Sequence, residues 1–234
     1  MGIDDDAYTW IMRTDEYATE KTLNEKARRW LDAVRGSVAP RPHLQVSPER
    51  CALVVVDMLR YFASPNGRCF LPASAGIAPQ IRSLLDAWRR NGGTVVFTRH
   101  CHEGEHDLGM LGRFFSDHIA CGEPDSQIIE MLEPLDGERV FNKTTYDAFI
   151  GTDLEEYLKK ERMEQVLVTG VLTHMCCETT ARSAFCRGFE VYVPVDATAS
   201  NCEERHLASL MAMADAVAVV LRTDEVLKLW EKNK

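Results

Sequence analysis

The chain has 234 residues, 45% of them hydrophobic and 27% charged, with a formal net charge of -9. That length suits one α/β domain with an appendage, and that apolar fraction can fill its core. The acidic balance leaves no cationic surplus for phosphates, which excludes a nucleic-acid-binding surface, and no apolar run nears the ~20 residues of a membrane span.

In chain order, residues 1–20 are polar and acidic, without periodicity and without a signal peptide. Lys21–Arg35 has helical spacing, with Leu23, Ala27, Trp30, Leu31 and Val34 on one face. Gly36–Pro48, with Pro40, Pro42 and Pro48, reads as a linker. Residues 1–50 are therefore expected to form a helical arm and linker, and 51–234 the domain. Ala52–Val56 is an apolar strand ending at Asp57. Ile77–Arg90 is an amphipathic helix stopped by Asn91-Gly92-Gly93, and Thr94–Thr98 is a strand leading to Arg99-His100. Asp125–Leu132 reads as a helix, Arg139–Asn142 as a strand ending at Lys143, and Thr152–Lys160 as a helix. Val166–Thr169 is a strand, Phe189–Pro194 another ending near Asp196, Glu203–Ala214 a helix, Ala216–Leu221 a strand and Thr223–Trp230 a helix. Apolar strands alternating with helices predict an α/β fold of three layers, α/β/α, with a mostly parallel central sheet of Rossmann type. The basic clusters Lys26-Ala27-Arg28-Arg29 and Trp88-Arg89-Arg90 read as solvated helix faces. Eight cysteines (51, 69, 101, 121, 176, 177, 186 and 202) show no CxxC pair. Free thiols and a cytoplasmic location are the expectation.

The stretch after Val166-Leu167-Val168-Thr169 carries the chemistry. Gly170 breaks the strand, and a helix follows whose first turn holds Cys176 and Cys177. Helix N-terminal N–H groups favour a thiolate and can stabilise an oxyanion. A cysteine there can equally be a small buried hydrophobe. Asp57 and Lys143 end two other strands on the same sheet edge, where ligands of open α/β sheets bind. Either alone reads as half of an ion pair; with the cysteine turn they form a convergent set.

The runs VVVDMLRYF (Val54–Phe62), NKTTYDAF (Asn142–Phe149) and VTGVLTHMCCETTARSAF (Val168–Phe185) resemble the three signature stretches of the isochorismatase-like (cysteine hydrolase) superfamily. That superfamily includes nicotinamidases, N-carbamoylsarcosine amidase, related amidohydrolases and true isochorismatases. The resemblance implies a hydrolase with Asp57 as general base, Lys143 as supporting cation and Cys176 as nucleophile. It is the resemblance that chooses Cys176 over Cys177. It further implies a cis peptide at Leu172–Thr173, an oxyanion hole from the N–H groups of Thr173 and Cys176, and no cofactor. Phe62, Arg99, Tyr146 and Leu172 are the candidates for substrate contact, with Phe70 and Phe149 as further aromatic walls.

Leu59-Arg60 stand where the family often has Gln-Asn, so Arg60 faces either solvent or a substrate carboxylate. The stretches Thr98–His102 and Gly109–Arg113 look more like isochorismatase-type members, which generally lack the nucleophilic cysteine and protonate an enol ether through the aspartate. Nicotinamidases bind a metal through Asp-x-His and a further histidine. Here His100-Cys101-His102 replaces Asp-x-His, and with His106 and Asp107 it has ligand chemistry, but no metal is expected. The leading reading is an amidohydrolase of a small amide, carbamoyl or ureido compound. The alternatives are an enol-ether hydrolase and a non-catalytic oligomeric binding protein. The arm suggests a homo-oligomer; a small-molecule substrate is the partner expected, with neither nucleic acid nor membrane.

Overall fold

Cys51–Val56 (β1) is six residues of buried apolar side chain, as a strand covered on both faces must be. The computed structural model describes residues 14–232; the first 13 residues of the expected arm lie outside them. Around β1 lie β2 (Val95–His100), β3 (Arg139–Lys143), β4 (Gln165–Val171), β5 (Glu190–Pro194), β6 (Thr198–Ala199) and β7 (Ala218–Leu221). They form one seven-stranded sheet in the order β3-β2-β1-β4-β5-β7, with β6 beside β4. Every pairing is parallel. The helices are α1 (Leu23–Ser37), α2 (Arg60–Ala63), α3 (Pro72–Arg90), α4 (Leu111–Phe114), α5 (Leu154–Lys160), α6 (Glu178–Cys186), α7 (Glu203–Ala216) and α8 (Thr223–Lys232). The α/β class and the parallel sheet match the sequence-based expectation.

Two features shape the edge where β1 and β4 end. β5 pairs with the first half of β4 and β6 with its last residues, Gly170 and Val171, so the sheet stays closed beside the turn that follows. At Gly170, φ is 104° and a Cβ would sit 2.0 Å from the Val56 carbonyl oxygen, so any other residue would force β1 and β4 apart.

The arm's helix buries the five residues its spacing predicted. It lies on α7: Lys26 pairs with Glu203 at 2.5 Å, Trp30 Nε1 donates to the same carboxylate at 2.8 Å, and Arg41 donates to the carbonyls of Ala214 and Asp215. Its apolar face joins the same core as the sheet.

Three expectations are corrected. Asp125–Leu132 is not a helix but two 3-10 turns, Pro124–Ser126 and Glu130–Leu132, flanking extended residues. Those residues spend their backbone on the loop after β1, where Arg60 N–H donates to Gln127 O at 2.8 Å and Ile129 N–H to Met58 O at 3.0 Å. Tertiary pairing thus overrides local helix propensity. Second, Cys101 and Cys121 are joined in a disulfide rather than free. His102 N–H bonds Ile119 O and Cys121 N–H bonds His102 O, which places the two cysteines within bridging reach. Third, the non-proline cis peptide is Val171–Leu172, one bond before the expected position.

Candidate active site

Asp57 follows β1 directly and takes φ 48°, a left-handed conformation that aspartate tolerates better than most residues. A reciprocal pair holds it there. Its N–H donates to Thr98 Oγ1 at 3.2 Å, and the Thr98 hydroxyl donates back to Asp57 Oδ1 at 2.6 Å. The second carboxylate oxygen meets Lys143 Nζ at 2.7 Å, with both side chains fully buried. Lys143 is the last residue of β3 and lies in register with His100, the last of β2. Its ammonium also donates to Thr145 O at 2.9 Å and to Cys176 Sγ at 3.2 Å, with His100 Nδ1 at 3.4 Å.

Cys176 sits in a π-helical turn, Thr173–Cys177, that precedes α6. Leu172 O accepts from the N–H groups of Met175 and Cys177, which winds the turn tightly at the end of β4. Behind the turn, α7 grips Thr173 twice. The Thr173 hydroxyl meets His206 Nδ1 at 2.8 Å, and Ser209 Oγ lies 3.1 Å from Thr173 O and 2.6 Å from Glu178 Oε2, two acceptors for its one hydrogen. His206 Nε2 lies 3.2 Å from Val195 O. A carbonyl only accepts, so Nε2 carries the proton and Nδ1 accepts from Thr173. Cys177 Sγ points inward, toward Thr169 O at 3.8 Å, and is fully buried.

Burial pushes the Asp57 carboxyl up, but the charge of Lys143, that of His100 once it is protonated at low pH, and the bonds from Lys143 and Thr98 outweigh it, holding the group below the usual carboxylate range. Lys143 is held charged: burial opposes it, and Asp57 and Cys176 more than compensate. The Cys176 thiol is pushed up to about 12, first by burial and then by Asp57, which Lys143 only partly offsets. Burial thus works against the thiolate that the helix-start N–H groups favour. His100, buried beside Lys143, is pushed down to about 4 and is neutral.

Of the substrate-contact candidates, Tyr146 borders the cluster: after burial, the fields of Cys176 and Lys143 act on its phenol. Leu172 is buried at the base of the turn, and Phe62 lies half-buried in α2 just beyond Asp57. Arg99 stands between Thr98 and His100 in β2, so strand alternation turns it to the opposite sheet face, and no hydrogen bond joins it to the cluster. Phe149 stacks on Phe189 in the core. Arg60 is exposed. Thr98 and His100 are the members that the sequence reading missed. Their i, i+2 spacing at the end of a strand was the available signal, but only the sheet order puts that strand beside β1 and β3.

A metal fits these residues poorly. Among the described residues, the group of three ligand-type atoms within 4.8 Å of one another is Asp57, His100 and Cys176. The Lys143 ammonium stands against all three of them, so a second cation there would meet direct repulsion. His102 Nε2 lies 3.2 Å from His100 Nε2, and its Nδ1 faces Asp107 at 3.3 Å.

A family model for the isochorismatase domain matches residues 51–225. The chain is 39% identical to nicotinamidase 3 of Arabidopsis thaliana over 178 residues, 75% of this chain and 86% of that one. It is also 30% identical to enterobactin synthase component B of Escherichia coli K12 over 182 residues, 77% of this chain and 63% of that protein. Among solved structures, a cysteine hydrolase from Pseudomonas syringae pv. phaseolicola superposes with a TM-score of 0.79 at 29% identity, covering 84% of this chain and 99% of that one.

Proposed function

This chain belongs to the isochorismatase family of hydrolases, and we propose that it is a cysteine-dependent amidohydrolase of small amide, carbamoyl or ureido compounds. The observation that carries the reading is the buried ammonium of Lys143, ion-paired with the Asp57 carboxylate and hydrogen-bonded to the Cys176 sulfur. A bystander ion pair would have no reason to hold a thiol within reach of both charges.

The proposed reaction follows from that geometry. As sulfur attacks the carbonyl carbon, its proton passes to Asp57, so the buried thiolate never has to persist alone. Lys143 keeps its charge throughout and compensates negative charge first on the carboxylate and then on sulfur. The oxyanion is assigned to the N–H groups of Thr173 and Cys176. Protonated Asp57 gives its proton to the departing amine, and a water deprotonated by the same carboxylate hydrolyses the thioester. No step calls on a cofactor.

The second reading is an enol-ether hydrolase in which Asp57 acts as the acid; it draws support from the match to the isochorismatase domain model. Two variants separate the readings. Ammonia release from a panel of primary amides and ureides, and turnover of isochorismate, are measured for Cys176→Ala and Asp57→Ala. The amidohydrolase reading expects both variants to lose turnover roughly a thousandfold or more, with the fold of Cys176→Ala intact. An active Cys176→Ala beside a dead Asp57→Ala overturns it in favour of the enol-ether reading.

A further inference from the structure

The isochorismatase domain match begins at residue 51, yet the arm ahead of it reaches the catalytic turn. Just before α1, Asp15 N–H donates to Asn201 O at 2.9 Å, and Ser200 N–H donates to the Tyr17 hydroxyl oxygen at 2.9 Å. Tyr17 and Ser200 are both buried. Ser200 follows β6, whose two residues pair with Gly170 and Val171 at the end of β4. Its Oγ bonds His174 Nδ1, and His174 is the second residue of the turn that carries Cys176. A phenol of the arm thus stands two hydrogen bonds from that turn.

A second route runs through ring packing. The Tyr17 and His206 ring centroids lie 5.9 Å apart, those of Trp30 and His206 4.7 Å, and those of Tyr17 and Trp30 5.9 Å. His206 is the residue that meets the Thr173 hydroxyl. Two neighbouring residues of the turn, Thr173 and His174, are therefore held from the arm by separate contacts, and Tyr17 takes part in both. The backbone so held includes the Thr173 N–H assigned to the oxyanion. The sulfur is held from elsewhere, by Lys143 at 3.2 Å.

We propose that Tyr17 is a positioning residue of the catalytic turn, keeping the Thr173 N–H on the oxyanion through Ser200 and His174 and through His206. The arm then supports an active site whose reacting groups all lie in the matched domain. The inference rests on the proposed attack of Cys176 on a carbonyl. A donor of this kind acts chiefly in the transition state, so a small displacement costs rate and little binding. Tyr17 acts on the donor and leaves the nucleophile alone.

Two small reagents that react at the same sulfur separate donor from nucleophile. p-Nitrophenyl acetate acetylates a thiol through a tetrahedral oxyanion. The bond from sulfur to the acetyl carbon forms, the thiol proton passes to Asp57, and p-nitrophenolate leaves with the electron pair of the broken C–O bond. Iodoacetamide alkylates by direct displacement of iodide, with no oxyanion. Both rates are measured at neutral pH on the full chain for the wild type, Tyr17→Phe, Ser200→Ala and the double variant, with the modified cysteine mapped by mass spectrometry. Phenylalanine keeps the ring against His206 and Trp30 and removes the acceptor of Ser200 N–H. Each single variant slows acetylation of Cys176 about tenfold, while its alkylation stays within about twofold of wild type. Because the two changes cut one route at two points, the double variant is slowed no further. Ser200→Ala leaves the arm untouched and decides the matter should Tyr17→Phe not fold. Acetylation at the wild-type rate in the single variants overturns the inference and leaves the role of Cys176 standing. Equal slowing of both reagents, the mark of a loosened fold, overturns it too, as does a double variant slowed about a hundredfold. A wild-type Cys176 that neither reagent modifies sinks the nucleophile assignment, and the role of Tyr17 falls with it.

Discussion

In front of Cys176, Lys143 and Asp57 meet at 2.7 Å with both charges buried. Behind it, Thr173 meets His206 at 2.8 Å and Ser209 at 3.1 Å, and Ser209 Oγ also reaches the Glu178 carboxylate at 2.6 Å. The front is the cluster whose protons move in the proposed reaction, and its stability depends on every partner staying in place. The back is a clamp whose donors and acceptors are fixed by which atoms can only accept. Burial depresses the histidine on each side to about 4, but for different ends. His100 leaves a lone pair toward a cation, while His206 holds the turn and is itself packed against Trp30 of the arm, ring centroids 4.7 Å apart. Chemistry and placement are thus divided between two sets of residues on either side of one short turn.

Removing a charge from the front gives the largest effect. Lys143→Met leaves the Asp57 carboxylate buried without its cation, so we expect a loss of about 3–5 kcal/mol in urea unfolding, together with loss of turnover. A variant as stable as the wild type would contradict the description of the pair. At the back, His206→Phe keeps an aromatic ring but strands the Thr173 hydroxyl. Roughly 1–3 kcal/mol of stability should go, and kcat should fall while KM changes little, because the turn is displaced and the substrate walls are not.

pH separates the two sides further. An ordinary histidine titrates near 6.5, whereas native His206 titrates near 4. Between those values the unfolded chain binds the proton and the native chain does not, so stability present above pH 6.5 is lost as the pH falls toward 4. His100 adds to the same window. Asp57, with its carboxyl lowered, adds a loss only at still lower pH, as the unfolded chain's aspartate protonates first. Melting temperatures of the wild type should therefore drop between pH 7 and 4.5, and less steeply in His206→Phe; parallel curves would show that His206 does not report the clamp. The smallest effect belongs to the arm's half-exposed ion pair. Glu203→Gln removes the charge facing Lys26 and should cost no more than about 1 kcal/mol, leaving turnover unchanged.

Much of this was legible in the sequence because it is written in periodicity. The apolar run of β1 and the one-face spacing of α1 each have one low-energy solution, and Asp57, Lys143 and Cys176 are found at the strand ends their positions implied. What could not be read depends on which segments become neighbours. Residues 125–132 have helical spacing, yet they pair with the loop after β1. The Cys101–Cys121 bridge joins residues 20 apart that only backbone pairing brings together. His100 looked like a member of a loop cluster until the sheet order set it in register with Lys143. The burial that raises the Cys176 thiol was out of reach for a related reason: a helix start is visible in a sequence, whereas the depth at which the sulfur is buried is not.

The most direct test of the central claim is a search for the covalent intermediate. Wild-type protein is acid-quenched while turning over the amide or ureide that the ammonia screen identifies, and its intact mass and peptide map are recorded. The account predicts a mass increase equal to the substrate's acyl group, carried on Cys176 and absent from Cys176→Ala. Turnover of that substrate by Cys176→Ala at the wild-type rate, with no adduct in either protein, would contradict it.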